Sequence, residues 1–270
     1  MTTADDRALR ALRAGRRRFA TLSRSVTLFR AFLVEQTDPD HFYGLLAADS
    51  VRQVCGYTAL DGRTVLDVGG GPGYFAAAFR AAGARYVGLD PDVGDFSAAA
   101  GESSAGMLRG SGTALPVRTG SVDVTFSSNV VEHVAEPPWM LDEMVRVTRP
   151  GGLLFVSYTP WLSPWGGHET APWHYLGGER ARRRYERRMG RAPKNRFRET
   201  LFPVSIADTL RWARCNVDVD VLDALPRYHP WWARWVIKVP GVREVAAWNF
   251  VLVLRRTGAR QPGAVAEKQS

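Results

Sequence analysis

The run Val65-Leu66-Asp67-Val68-Gly69-Gly70-Gly71-Pro72-Gly73-Tyr74-Phe75 carries chemistry because it joins an apolar strand to a helix start through closely spaced glycines. Residues without a Cβ let the backbone turn tightly and approach a ligand closely, while free amides at the helix start face that ligand. A dinucleotide fingerprint requires glycine at the third place after Gly71, where this chain has Tyr74, so the spacing is G-x-G-x-G. About 20 residues further on, Val87-Gly88-Leu89-Asp90 ends the next apolar run with a carboxylate placed to accept hydrogen bonds from ribose hydroxyls. S-adenosylmethionine (SAM) suits this pair of features: it has a ribose but no pyrophosphate, and the close backbone approach serves its amino-acid and sulfonium portion.

A second set of groups is more ambiguous. His133 follows the fourth apolar strand, where it reads either as a general base tunable near neutral pH or as a helix-start residue shaping a cofactor pocket. Its neighbour Glu132 has the same ambiguity, with helix capping as the plainer role. His168, Glu169, His174 and Tyr175 lie in a glycine-rich stretch beyond the fifth strand, at the end of an open α/β sheet where ligands bind. They serve either as acceptor contacts or as the bonds that hold that stretch to itself. His168 and His174 are six apart with Pro172 between them and share no helix face, so no metal ligands are assigned.

The elements that must position these groups follow from periodicity. Residues 5–35 carry Leu9, Leu12, Phe19, Leu22, Val26, Phe29 and Leu33 at helical spacing, and Thr37-Asp38-Pro39-Asp40 supplies a stop and a new cap before a helix over 39–55. These form an N-terminal helical arm, residues 1–60. From residue 64 short apolar strands alternate with alanine-rich helices, the pattern of a parallel sheet covered on both faces. Strands are expected at 64–68, 86–90, 107–109, 122–127, 152–158, 217–222 and 249–254, with helices near 74–82, 96–100, 131–134, 139–147 and 205–213. The fold class is therefore α/β, a Rossmann-like, seven-stranded, mostly parallel sheet over 61–257, with 160–203 inserted after the fifth strand. The tail 258–270 reads as disordered.

Taken in order, these motifs resemble class I SAM-dependent methyltransferases. Asp67 to Gly73 is similar to their first motif, Asp90 to the acidic end of their second strand, and Gly110-Ser111-Gly112-Thr113-Ala114-Leu115-Pro116 to the segment bordering adenine. Ser127-Ser128-Asn129-Val130-Val131-Glu132-His133 looks like the fourth strand and its loop, and Arg149-Pro150-Gly151-Gly152 like the turn before the fifth. The resemblance implies SAM as methyl donor and Asp67, Gly69, Gly71, Gly73, Tyr74, Asp90, Ser111, Gly112 and Asn129 as its contacts. Ser111 departs from the pattern, standing where many relatives have the aspartate that meets adenine. The chain further resembles a group of actinobacterial methyltransferases described as uncharacterised, which supplies no substrate.

Charge bears on the acceptor. The net charge is +9, yet Asp61 to Ser157 holds seven arginines against eleven acids, whereas Leu176 to Thr200 holds nine arginines and one lysine against three glutamates. Basicity outside the sheet suits an anionic substrate, a phospholipid surface or a nucleic acid, or simply a solvated face. A small-molecule or lipid-like acceptor is expected, with peripheral membrane contact through the aromatic and basic segment 228–247. A nucleic-acid acceptor is the alternative, disfavoured because the loop Ser127-Ser128-Asn129-Val130 lacks a proline-aromatic clamp; a non-catalytic SAM-binding regulator is another. Two cysteines, Cys55 and Cys215, the absence of a signal-like N-terminus and the lack of any long apolar run lead to an expected cytoplasmic location.

Overall fold

The computed structural model describes residues 15, 19–35, 37–92 and 106–258. Seven strands form one sheet: β1 (Thr64–Val68), β2 (Arg85–Asp90), β3 (Met107–Arg109), β4 (Val122–Ser128), β5 (Thr148–Tyr158), β6 (Val219–Pro226) and β7 (Phe250–Arg256). Their order is β3-β2-β1-β4-β5-β7-β6. The first five pair in parallel, and β7 runs antiparallel between β5 and β6. The expected seven-stranded, mostly parallel sheet is thus present. The order reverses at β1, whose C-terminal end carries the glycine loop, and a crevice at such a reversal is where open α/β sheets bind ligands.

Alternation along the central strands divides the core between the two faces of the sheet. Leu66, Val68, Leu154 and Val156 face one side, packing with Met140, Leu141 and Met144 of α4 (Pro137–Val147) and Leu210 of α6 (Ile206–Cys215). Val65, Phe126, Phe155 and Val253 face the other, against Phe79 of α3 (Ala76–Ala81) and Phe42 and Leu46 of α2 (Pro39–Cys55). Because both faces of the sheet are covered, successive strand residues are buried alternately on one side and the other, which is why these strands read as continuous apolar runs.

The arm enters through α1 (Leu22–Leu33), capped by Thr21, whose side chain accepts from the Arg24 amide. Asp38 caps α2 through its carboxylate, accepting from the His41 amide at 3.1 Å, with Pro39 in the first turn where no amide is needed. Of the expected 5–35 helix, residues 5–14 and 16–18 lie outside the described residues, as do the expected 96–100 helix and the tail beyond 258.

The insertion differs from its sequence reading. No element is assigned from sequence within the insertion 160–203, and the structure has 3-10 turns there at His168–Thr170 and Trp173–Leu176 and the helix α5 (Gly178–Met189). Another difference is the earlier start of β5, at Thr148 rather than 152, because Thr148 pairs with Val122 across a register shift. After β6 the chain forms a 3-10 stretch, Trp231–Lys238, and a short helix α7 (Val242–Ala246) before β7.

Candidate functional site

The glycine loop is laid across the end of β2. The Gly69 and Gly70 amides donate to the Leu89 carbonyl at 2.7 and 3.1 Å, and the Gly71 amide donates to Asp90 Oδ2 at 3.0 Å. Asp90 Oδ1 accepts from the Asp92 amide at 3.0 Å, so both carboxylate oxygens are fixed in place yet keep lone pairs for further donors. Gly69 has φ +80°, and a Cβ there would overlap the methyl groups of Val130, which brings the loop directly against the turn after β4. At Gly71, φ +49°, nothing lies within 4 Å of where a Cβ would stand. The loop therefore presents bare backbone to open space, the cradle that a nucleoside-bearing ligand requires.

Asp67 lies beneath the loop, buried, and Tyr86 donates its hydroxyl to Oδ2 at 2.7 Å. Burial pushes its carboxyl up to about 7, against the lowering effect of the Tyr86 bond, and nearby Asp90 raises it further. Tyr74 stacks on Tyr43 of α2, centroids 4.6 Å apart, fixing the arm against the loop. Ser111 bonds Thr113, hydroxyl to hydroxyl at 2.8 Å, and Gly112 lies over Val68 and Met140. Asn129, in left-handed backbone at φ +59°, accepts from Asn249 Nδ2 at 2.8 Å. Every residue expected to meet SAM thus belongs to the C-terminal ends of β1, β2 and β4 or to the turn after β3, on one edge of the sheet.

The candidates His133, His168, His174 and Tyr175 separate into two pairs. His133, in the 3-10 turn Val131–His133, donates from Nδ1 to the Thr200 carbonyl at 2.7 Å, which leaves Nε2 with its lone pair. Its ring meets that of His168 with centroids 5.2 Å apart. Close to both is Glu132, only 1% exposed, whose Oε1 accepts from the Thr159 amide at 3.0 Å while Oε2 has no partner. Desolvation drives the Glu132 carboxyl up and holds His168 neutral, down to about 3. His174 and Tyr175 lie elsewhere: His174 is buried against Trp161, with Nε2 on the Ser163 carbonyl at 3.1 Å, and Tyr175 donates to the Leu162 carbonyl at 3.2 Å. These two bond the insertion to itself.

Three residues of this region gave no sequence signal. Tyr86 and Val130 sit at ordinary apolar strand and turn positions, and only the fold shows that one clamps Asp67 and the other fills the space over Gly69. Arg227, fully buried beyond the end of β6, donates to Ser50, Ser128 and Ser157 hydroxyls at 2.7 to 2.9 Å, tying α2, β4 and β5 together.

Comparison with known proteins agrees with this geometry. Residues 66–156 match a family described as a methyltransferase domain. A protein of Mycolicibacterium gilvum (strain PYR-GCK), described as an uncharacterised methyltransferase, is 56% identical over 255 residues, covering 91% of this chain and 98% of the relative. One from Mycobacteroides abscessus is 53% identical over 250 residues, covering 87% and 95%. Among solved structures, a SAM-dependent methyltransferase from Mesorhizobium loti superposes with a TM-score of 0.53 at 17% identity, over 77% of this chain and 96% of that one. The geranyl diphosphate C-methyltransferase of Streptomyces coelicolor A3(2), solved with Mg2+, geranyl diphosphate and S-adenosyl-L-homocysteine, gives 0.52 at 14% identity, over 77% of each. The structural likenesses carry the fold; the close relatives, over nearly their whole length, establish that this chain belongs to the SAM-dependent methyltransferases.

Proposed function

We propose that the chain methylates a small-molecule acceptor, lipid-like in its apolar part, seated between the glycine loop and the insertion. The observation that carries this reading is the convergence of Glu132, His133 and His168 next to Val130, which itself packs over Gly69. SAM, when bound, supplies a methyl group on a positively charged sulfur that is its own leaving group. The Gly69 to Gly73 backbone and Asp90 hold it, with Ser111, Gly112 and Asn129 at the adenine side and the strand ends. The imidazoles of His133 and His168 and the buried Glu132 carboxyl then face the acceptor, where alignment and exclusion of water supply the rate.

The insertion supports this by forming a roof. The Phe202 amide donates to the Glu132 carbonyl at 2.7 Å, tying the far end of the insertion to the turn after β4, and the Trp161 amide donates to the Val204 carbonyl at 2.9 Å, closing the insertion's two ends on each other. His174 and Tyr175 act through that roof rather than on the acceptor. A lipid-like acceptor is favoured by Trp232 and Trp235, 57% and 54% exposed beside exposed Val239, Val242 and Val245, a surface suited to a membrane interface. No helix of the described residues is long and apolar enough to cross a membrane. A nucleic-acid acceptor draws less support from α5, where Arg182 and Arg183 both pair with Glu179 and Arg184 stacks on Trp173.

The test is transfer of label from methyl-labelled SAM, by the purified chain, into separated extract fractions. Label in a metabolite or lipid fraction that gains one methylene in mass is the expected result. Label confined to nucleic acid, or tight SAM binding without any transfer, would replace this reading with one of the alternatives.

A further inference from the structure

Among the candidate groups, the fold buries Glu132, His168 and His174 each with a polar atom unspent, and those of Glu132 and His168 belong to one cluster. Glu132 Oε2 and His168 Nε2 are both inaccessible to solvent and without a hydrogen-bond partner. Leaving such atoms unpaired costs about 1 to 3 kcal/mol each, so a folded protein that aims two of them at one point has a third body in view. The point is shared: one ligand-capable atom from each of Glu132, His133 and His168 lies within 4.8 Å of the other two.

We propose that Glu132, His133 and His168 form a binding site for a divalent first-row transition-metal ion. The protein ligands are Glu132 Oε2 and one ring nitrogen from each histidine, Nε2 in both cases. Three features of the structure fit an ion better than a chance meeting of polar groups. His133 already has the outer bond of a metal-bound histidine, its Nδ1 proton given to the Thr200 carbonyl so that Nε2 points its lone pair away. Glu132 is likewise anchored through Oε1 on the Thr159 amide, leaving Oε2 as the free arm. His168 arrives from a separate turn of the insertion, in left-handed backbone at φ +47°, a conformation uncommon for a residue with a side chain.

The donor set selects the ion. Two imidazoles and one carboxylate suit ions of intermediate softness and leave coordination positions open, whereas a cage of oxygens would suit magnesium or calcium. Ligand bonds of roughly 2.0 to 2.2 Å require the three side chains to draw together from the observed spread of up to 4.8 Å. A sequence scan misses this site because His133 pairs with His168 across 35 residues, while the nearer His174 turns to Ser163 instead. If the acceptor binds as proposed above, the open positions lie beside the methyl donor's loop and favour acceptors that offer an oxygen or nitrogen donor. The site itself does not depend on that reading.

The experiment uses the full chain, stripped with a chelator and checked by calorimetry for SAM binding. Titration with Co2+, followed by visible absorption, and with Zn2+ and Mn2+ by calorimetry is expected to show one ion per chain. His168→Gln and Glu132→Gln should each weaken binding by about tenfold or more while SAM affinity is retained, and His41→Gln on the arm should leave it unchanged. Should Glu132→Gln fail to fold, His168→Gln decides alone. Absence of saturable binding for all three ions, or binding indifferent to His168→Gln, would show that an ordered water satisfies these atoms and overturn the site. Ion binding without methyl transfer from SAM would sustain the site and overturn only the acceptor reading.

Discussion

Asp90 and Asp67 are two carboxylates at neighbouring strand ends with opposite physics. Asp90 is partly open and held by the Gly71 and Asp92 amides, so its remaining lone pairs are available to ribose hydroxyls. Asp90→Ala should weaken SAM binding by about 1 to 3 kcal/mol through lost charge-assisted hydrogen bonds; calorimetry showing unchanged affinity would remove this residue from the site. Asp67, by contrast, is buried and its carboxyl is pushed up to about 7 by desolvation, with the Tyr86 hydroxyl opposing. A raised acid binds its proton more firmly in the folded state, so its contribution is favourable at low pH and is lost as pH rises from about 4 toward 7. Asp67→Asn cannot lose a proton. Denaturant unfolding at several pH values should therefore show the stability of Asp67→Asn, relative to the parent, improving across that window; a flat difference would mean the carboxyl is not desolvated as the fold implies.

At the scale of elements, the glycine loop separates the roles of its members. Gly69 has both a positive φ and the Val130 methyls against it, so Gly69→Ala should lower thermal stability as well as SAM affinity, the left-handed conformation alone costing about 1 to 2 kcal/mol. Gly71, at φ +49°, carries the same left-handed cost but faces open space, so Gly71→Ala should lose less stability than Gly69→Ala while also losing affinity. Parallel thermal melts and SAM titrations of the two variants check this split. The loop and the strands around it were legible because glycine spacing and buried apolar runs are local signals, readable without knowing what packs above. Helix α5 was not, since only Gly178 and Ala181 of it are buried and its remaining positions are charged apart from Tyr185 and Met189, leaving no apolar stripe to read. It is held instead by pairs such as Arg182 with Glu179 and Arg183 with Glu179, three and four residues apart. The Glu132, His133 and His168 cluster was illegible for a different reason: its members come from two turns that only the tertiary structure brings together.

Over the whole molecule, the N-terminal arm is bolted to the sheet rather than laid on it. Arg24 of α1 forms a two-pronged pair with Asp49 of α2, both bonds 2.7 Å, and also donates to the Arg227 carbonyl at 3.1 Å. The pair is almost wholly enclosed, 9% and 2% exposed, so Arg24→Ala strands a buried carboxylate and should cost about 3 to 5 kcal/mol in chemical denaturation. A loss below 1 kcal/mol would show that water reaches Asp49 and the arm is loosely held. The exposed tryptophans give the matching test at the outer surface. Trp232→Ser with Trp235→Ser should reduce co-sedimentation with anionic vesicles while leaving SAM affinity intact, and equal sedimentation of parent and variant would remove membrane contact through this segment.

Strand β7 bonds to β5 on one side and β6 on the other, though it is the last strand in chain order. A nascent chain emerging as far as Asn249 therefore has two raw sheet margins facing each other across an unfilled slot, each a template for a stray partner. The facing margins of β5 and β6 must wait, unsealed, for this strand, and until Phe250 to Arg256 slide in, aggregation competes with completion of the sheet.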